Sequence, residues 1–186
     1  MGDIRPQAPV LLILAAFSRY EGALAWARGR AEQTWGRIAL TSPLYEFVET
    51  RFYEATMGPG IRKVFWGFDA LADAAALADW KQQTNAWEDA YRDSYPAAEP
   101  RPLNLDPGYL TEAKLVLATT KDRDHRIYVR DGIFAEVTLA FQDHQWRPRP
   151  WTYPDYCRAD YHQFFLRCRD FLRQRYGKAG RRAREA

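Results

Sequence analysis

"KLVLATTKDRDHRIYVRDGIFAEVTL" (residues 114–139) consists of short apolar-polar runs rich in Val, Ile, Thr and Tyr and broken by turn formers, the pattern of consecutive β-strands. Asp131-Gly132 is a two-residue hairpin signal, because Gly takes positive φ at no steric cost. That turn sets Arg130 opposite Ile133, Tyr128 opposite Ala135, Ile127 opposite Glu136 and His125 opposite Thr138. One face then carries His125, Ile127, Val129, Phe134, Glu136 and Thr138, while Arg126, Tyr128 and Arg130 point to the other. If residues 122–124 make a three-residue turn, Lys121 falls opposite His125, and Thr119 and Leu117 join that face. With two or four turn residues Lys121 moves across the sheet and the cluster loses its cation.

Cross-strand neighbours lie roughly 4.5–8 Å apart, so a His125-Glu136 pair with Lys121, Thr119 and Thr138 beside it has site-like geometry. Such a pair suits an acid or base with its orienting carboxylate, and Lys121 suits a phosphate or carboxylate. The same residues also fit the wet side of an antiparallel sheet, and the pattern leaves both readings open.

Outward from this stretch, "VLLILAAF" (10–17) has the continuous apolarity of a strand covered on both faces. As a signal-peptide core it is ill-framed, since Asp3 offsets Arg5 and Arg19 and Glu21 precede the "ALA" at 23–25. Eight apolar residues are too few to span a bilayer. Residues 21–35 place Leu24, Ala27, Ala31 and Trp35 on one helical stripe that Gly36 stops. Residues 37–48, broken at Pro43, and 61–68, after the "GPG" turn, read as strands. Asp73 is the expected N-cap of a helix with Leu77, Trp80, Thr84, Trp87 and Tyr91 on its stripe. In the last helix Tyr161, Phe164, Phe165, Cys168, Phe171, Leu172 and Tyr176 repeat at core-facing steps.

The order β-α-β-β-α-β-β-β-α predicts an α+β fold: a single compact domain over residues 1–176, with helices packed on a largely antiparallel or mixed sheet and a ferredoxin-like start. The 186 residues, 47% of them hydrophobic and 15% aromatic, supply core enough for it and exclude a disordered chain.

The net charge of +3 is unevenly spread. Residues 167–186 hold eight basic and two acidic residues, leaving 19 basic and 22 acidic in residues 1–166. A flexible basic tail is expected over 177–186, where Arg181, Arg182 and Arg184 fit either nonspecific nucleic-acid contact or a solvated terminus. The two cysteines, Cys157 and Cys168, suit a reduced, cytoplasmic setting rather than a disulfide scaffold. No CxxC, HExxH, P-loop, GxGxxG or nucleophile elbow occurs, and no metal site is expected. The aromatic content also fits a homodimer interface.

"NLDPGYL" (104–110), "KLVLATTKDRDHRIY" (114–128), "GIFAEVTL" (132–139) and "WTYPDY" (151–156) together resemble an uncharacterised prokaryotic family, domain of unknown function 4416. "APVLLI", "SPLYEF", "MGPGIRKVFWGF" and "KQQTNAWE" fall in the order that likeness requires. The chain departs from the family's pattern at Phe52 and Thr56, where the family favours a second Tyr and an acidic residue. The resemblance implies a small soluble single-domain protein and brings no activity. It singles out Asp106, Lys114, Lys121, His125, Arg126, Glu136, Tyr153 and Asp155 as polar residues inside the family's motifs. Asp-Pro-Gly within "NLDPGYL" is also ordinary turn chemistry, and Pro154-Asp155 could simply start the last helix, with Trp151 as a core plug.

Two functions follow as expectations. One is a small cytoplasmic enzyme or ligand-binding protein for an anionic, phosphorylated or nucleotide-like molecule. In it His125 is acid or base, Glu136 its orienter, Asp106 a further catalytic candidate, and Lys114, Thr119, Lys121, Arg126, Thr138, Tyr153 and Asp155 bind. The other is a nucleic-acid or protein adaptor that uses the basic C-terminus.

Overall fold

The computed structural model describes the backbone of residues 6–185 and side chains through Gly177. The side chains of Arg181, Arg182 and Arg184 therefore lie outside what is described, as do the contacts expected of the basic tail.

Among the described residues nine strands form one sheet: β1 (Val10–Ser18), β2 (Ile38–Thr41), β3 (Tyr45–Glu46), β4 (Arg62–Ala72), β5 (Asn104–Leu110), β6 (Lys114–Thr119), β7 (Ile127–Arg130), β8 (Ile133–Gln142) and β9 (Gln145–Pro148). The helices are α1 (Glu21–Trp35), the single turn α2 (Glu54–Met57), α3 (Leu77–Ser94) and α4 (Ala159–Glu185). The main path runs β2-β4-β1-β5-β6-β8-β7, with β3 on β4 and β9 on β8, and every pairing is antiparallel.

The first four strands of that path have the split β-α-β order of a ferredoxin-like core, with β4 inserted between β2 and β1. Its last strand is β5, the "NLDPGYL" segment, where a turn and not a strand was expected. All seven residues of that segment pair along β1, so Asp-Pro-Gly is extended here. One edge of the path also departs from the consecutive hairpins that the sequence predicts. β6 pairs with β8 and not with β7, so Lys121 and His125 never face one another across a turn.

The sheet is covered on both sides. From β1, Val10, Leu12, Leu14 and Ala16 meet α1 and α3, while Leu11, Ile13 and Ala15 meet α4. Both helix stripes pack as their spacing requires: Ala23, Leu24, Ala27 and Ala31 are buried on α1, and Tyr161, Phe164, Phe165, Cys168 and Leu172 on α4. Asp73 accepts from the Ala75 N–H at 2.9 Å and caps the 3-10 turn (Ala74–Ala76) that leads into α3. Burial pushes the Cys168 thiol up, which keeps it protonated and inert. Among the described residues no helix is long and apolar enough to cross a membrane.

The hairpin turn forms at Asp131-Gly132, with φ of 52° and 75°. A bulge between Tyr128 and Arg130 then slides the register by one residue, so Ile127 lies opposite Ala135 and Tyr128 opposite Phe134. Arg130 remains opposite Ile133.

Candidate functional site

β5 pairs with β6 only from Gly108–Leu117 to Leu110–Leu115. Beyond Gly108 the two strands part, and among the described residues Asn104 to Pro107 pair with β1 alone. Pro107, which has no N–H to donate, lies where the ladder stops. A cavity of about 110 Å³ occupies the opening. Asn104 and Asp106 form one wall, Leu117 to Lys121 the other, and Phe17, Phe47 and Tyr53 close the side away from α3.

Charge is concentrated here at a depth where it is costly. Lys63, from β4, is 2% exposed and donates to Asp155 Oδ2 at 2.6 Å. Its ammonium lies 4.2 Å from the centre of the Tyr156 ring and 5.1–5.8 Å from Phe17, Phe47, Phe65 and Tyr161, an aromatic cage. Lys81, on α3, donates to Asp106 Oδ1 at 3.1 Å and to the Leu105 carbonyl at 2.8 Å. Asn104 Nδ2 donates to the other Asp106 oxygen at 2.9 Å. Behind them Glu88 accepts from Arg101 and from the Leu105 N–H.

On the far wall the Arg126 guanidinium donates to Glu136 Oε2 at 2.8 Å, to the Tyr153 hydroxyl at 3.1 Å and to the Lys121 carbonyl at 2.9 Å. Thr138 donates to Glu136 Oε1 at 3.2 Å. His125 Nε2 stands 3.2 Å from Glu136 Oε2, and Nδ1 stands 3.0 Å from the exposed Asp124. The imidazole stacks on Trp151 at 5.1 Å and 13°. Trp151 is thus a shelf for His125 at 37% exposure and not a core plug.

Most of the expected residues do converge. Asp106, Thr119, Lys121, Arg126, Glu136, Tyr153 and Asp155 line the cavity, and Thr138 supports Glu136. Arg126, assigned by its register to the opposite face, joins them because it precedes β7 and is not bound by strand alternation. His125 meets Glu136 but opens onto an outer cleft with Asp124, Pro150 and Trp151. Lys114 stays apart, exposed at the other end of β6 opposite Ala140. Asp155 does lie in a 3-10 turn before α4, yet its carboxylate is buried against Lys63.

Lys63, Lys81, Arg101, Tyr53 and Tyr156 were not foreseen. Two of them left a trace. Lys63 is a charge inside the buried run of a largely apolar strand, and Lys81 stands on the α3 stripe between Leu77 and Thr84, where a core residue belongs. Among the described residues no group of three or more His, Cys, Asp or Glu could hold a metal ion.

The electrostatics are those of opposed charges held close together. Burial works to raise the Asp106 carboxyl, but the Lys81 and Lys63 ammoniums and the Lys81 hydrogen bond outweigh it and hold the group below its usual value. Burial opposes the charge on Arg126, and its bonds to Glu136 and Tyr153 more than restore it. Burial first, then the Asp106 and Asp155 charges, push the Tyr53 and Tyr156 phenols up, so both are donors at neutral pH.

A carboxyl depressed in the folded state stabilises the fold above its unfolded pKa, near 3.9, and loses that contribution as pH falls through the lower folded value. Asp106→Asn is therefore expected to be less stable than the wild type at pH 7, with the gap closing below about pH 4. Urea unfolding of both proteins at pH 7 and pH 3 measures this. A gap of the same size at both values would show that Asp106 acts through shape and not charge.

No match to the chain was found among curated proteins or solved structures. One family model does match, that of domain of unknown function 4416, over residues 8–171, which carry every wall of the cavity just described. The chain belongs to that family.

Proposed function

We propose that the protein binds a small anionic molecule in the opening between β5 and β6. The observation that carries this is the balance of charge on one cavity: Lys63, Lys81, Arg101, Lys121 and Arg126 against Asp106, Glu136 and Asp155. Counting Glu88 behind Arg101, the positive side still leads by one. Lys121 lies at the mouth, 5.3 Å from the Phe52 ring, and among the described residues its ammonium has no carboxylate partner. Deeply placed charges of both signs are what a binding or catalytic site requires and a plain core avoids. A cytoplasmic setting accords with this reading, as Cys157 and Cys168 are both unpaired.

Inorganic phosphate and glycerol 3-phosphate are expected to raise the melting temperature with concentration, by mass action on the native state. Stabilisation reaches about 2.7 kcal/mol at 100 times Kd. Lys121→Met, at an exposed position, is expected to weaken that response while leaving the ligand-free melting temperature in place. A flat response to small anions, with a salt-sensitive shift from a short RNA, would move the function to the basic C-terminus.

A further inference from the structure

The cavity holds more hydrogen-bond donors than its acceptors take up. Tyr156 is 3% exposed and lines the cavity, and its buried hydroxyl has no hydrogen-bond partner among the described residues. Leaving a buried hydroxyl unpaired costs about 1–3 kcal/mol, so a native structure that does so asks for a reason. The Tyr53 hydroxyl, on the same cavity, is likewise without a partner among the described residues. Lys63 carries three N–H donors and meets one oxygen, that of Asp155.

The acceptors are not equally open. Asp155 and Glu136 side chains are 4% and 3% exposed, each closed over by its own cation, while Asp106 is 29% exposed. Its two oxygens accept from Lys81 and Asn104, which leaves about half of a carboxylate's roughly four acceptor positions for a guest.

Resting on the anion-binding reading above, we propose that the buried end of the cavity seats the oxyanion of a hydroxylated acid. Tyr156, Tyr53 and Lys63 donate to its phosphate or carboxylate oxygens, and Asp106 accepts from a hydroxyl on a neighbouring carbon. Size agrees: an engineered cavity of roughly 150 Å³ holds benzene, so 110 Å³ takes about four or five heavy atoms. That is one phosphate, or a carboxylate with its hydroxylated neighbour. The remainder of the molecule lies towards Lys121 at the mouth.

The test is calorimetric titration with four probes: inorganic phosphate, ethyl phosphate, glycerol 3-phosphate and glycerate. Wild type, Tyr156→Phe and Asp106→Asn are compared. Removing the Tyr156 hydroxyl should weaken every probe that binds by about tenfold, the value of one hydrogen bond to a charged group. It should not lower the melting temperature, because the hydroxyl removed has no partner to lose. Asp106→Asn removes a negative charge that acts on every anionic probe alike, so the readout is relative: glycerol 3-phosphate or glycerate should weaken against ethyl phosphate by a similar factor, because only the hydroxylated probes lose a contact. The stronger of those two hydroxylated probes identifies the oxyanion.

If the wild type binds but Tyr156→Phe binds equally well, the seat is elsewhere and the proposal fails while anion binding stands. If Asp106→Asn weakens ethyl phosphate as much as glycerol 3-phosphate, the hydroxyl contact is wrong. If the wild type binds none of the four, the anion-binding reading fails and takes this one with it.

Discussion

Lys63→Met is expected to destabilise the protein by about 3–5 kcal/mol, a large share of the roughly 5–15 kcal/mol by which folded domains are stable, although a methionine fills nearly the same space. The loss does not come from lysine as such. It comes from Asp155, which stays 3% exposed and loses the ammonium 2.6 Å away that makes its burial tolerable. Replacing both partners removes the orphan. Lys63→Met with Asp155→Leu should therefore recover most of the lost stability, since five aromatic rings around Lys63 offer an apolar site to the new side chains. Urea unfolding of the wild type, both single variants and the double variant forms the cycle that isolates the pair. A Lys63→Met loss below about 1 kcal/mol would mean that the pair is not ionised as drawn. The double variant should also fail to bind any small anion. That outcome marks the pair as kept for its chemistry, because the fold stands nearly as well without it.

How much of this was legible depends on the range of the signal. β1 and α4 declare themselves through uninterrupted apolarity and a strict three-four repeat, both local patterns with one physical solution. The Asp131-Gly132 turn was equally local. The sheet order was not, because reading residues 114–139 as successive hairpins assumes that neighbours in sequence are neighbours in space. β8 instead lies between β6 and β7, and the bulge at the end of β7 shifts the pairing further. The site suffered in the same way. Glu136 and His125, eleven residues apart, could be paired from the pattern, whereas Lys63 and Asp155, ninety-two apart, could not. The pattern does carry one trace of the site, a misplaced charge: Lys81 on a helix stripe of Leu, Trp and Thr is a polar residue at a core position, and such residues gather at sites.

Gly108→Ala is expected to cost about 3 kcal/mol, near the upper end for overpacking, and so to lower the melting temperature by roughly 6–12 °C. In sequence Gly108 ends an Asp-Pro-Gly that resembles a turn, where the usual reason for glycine is positive φ. Here the residue is extended and paired with both β1 and β6, and the reason is proximity. A Cβ at this position would lie 2.2 Å from the Val116 carbonyl oxygen, 2.8 Å from Leu117 Cδ2 and 3.1 Å from Leu117 Cα. Two of these three atoms are backbone, which no rotamer change can clear. The strands would have to separate at the last rung before they part, widening the cavity at its closed end and drawing Asp106 away from Lys81. Gly29, on α1, is the control, because a Cβ there meets nothing within 4 Å. Gly29→Ala should stabilise by about 0.5–1 kcal/mol through helix propensity and a less flexible unfolded chain. The same substitution thus has opposite signs at two glycines, and thermal melts of the two variants decide it. Equal, small effects would mean that β5 and β6 have room between them, and that the pinch beside the cavity does not hold its walls in place.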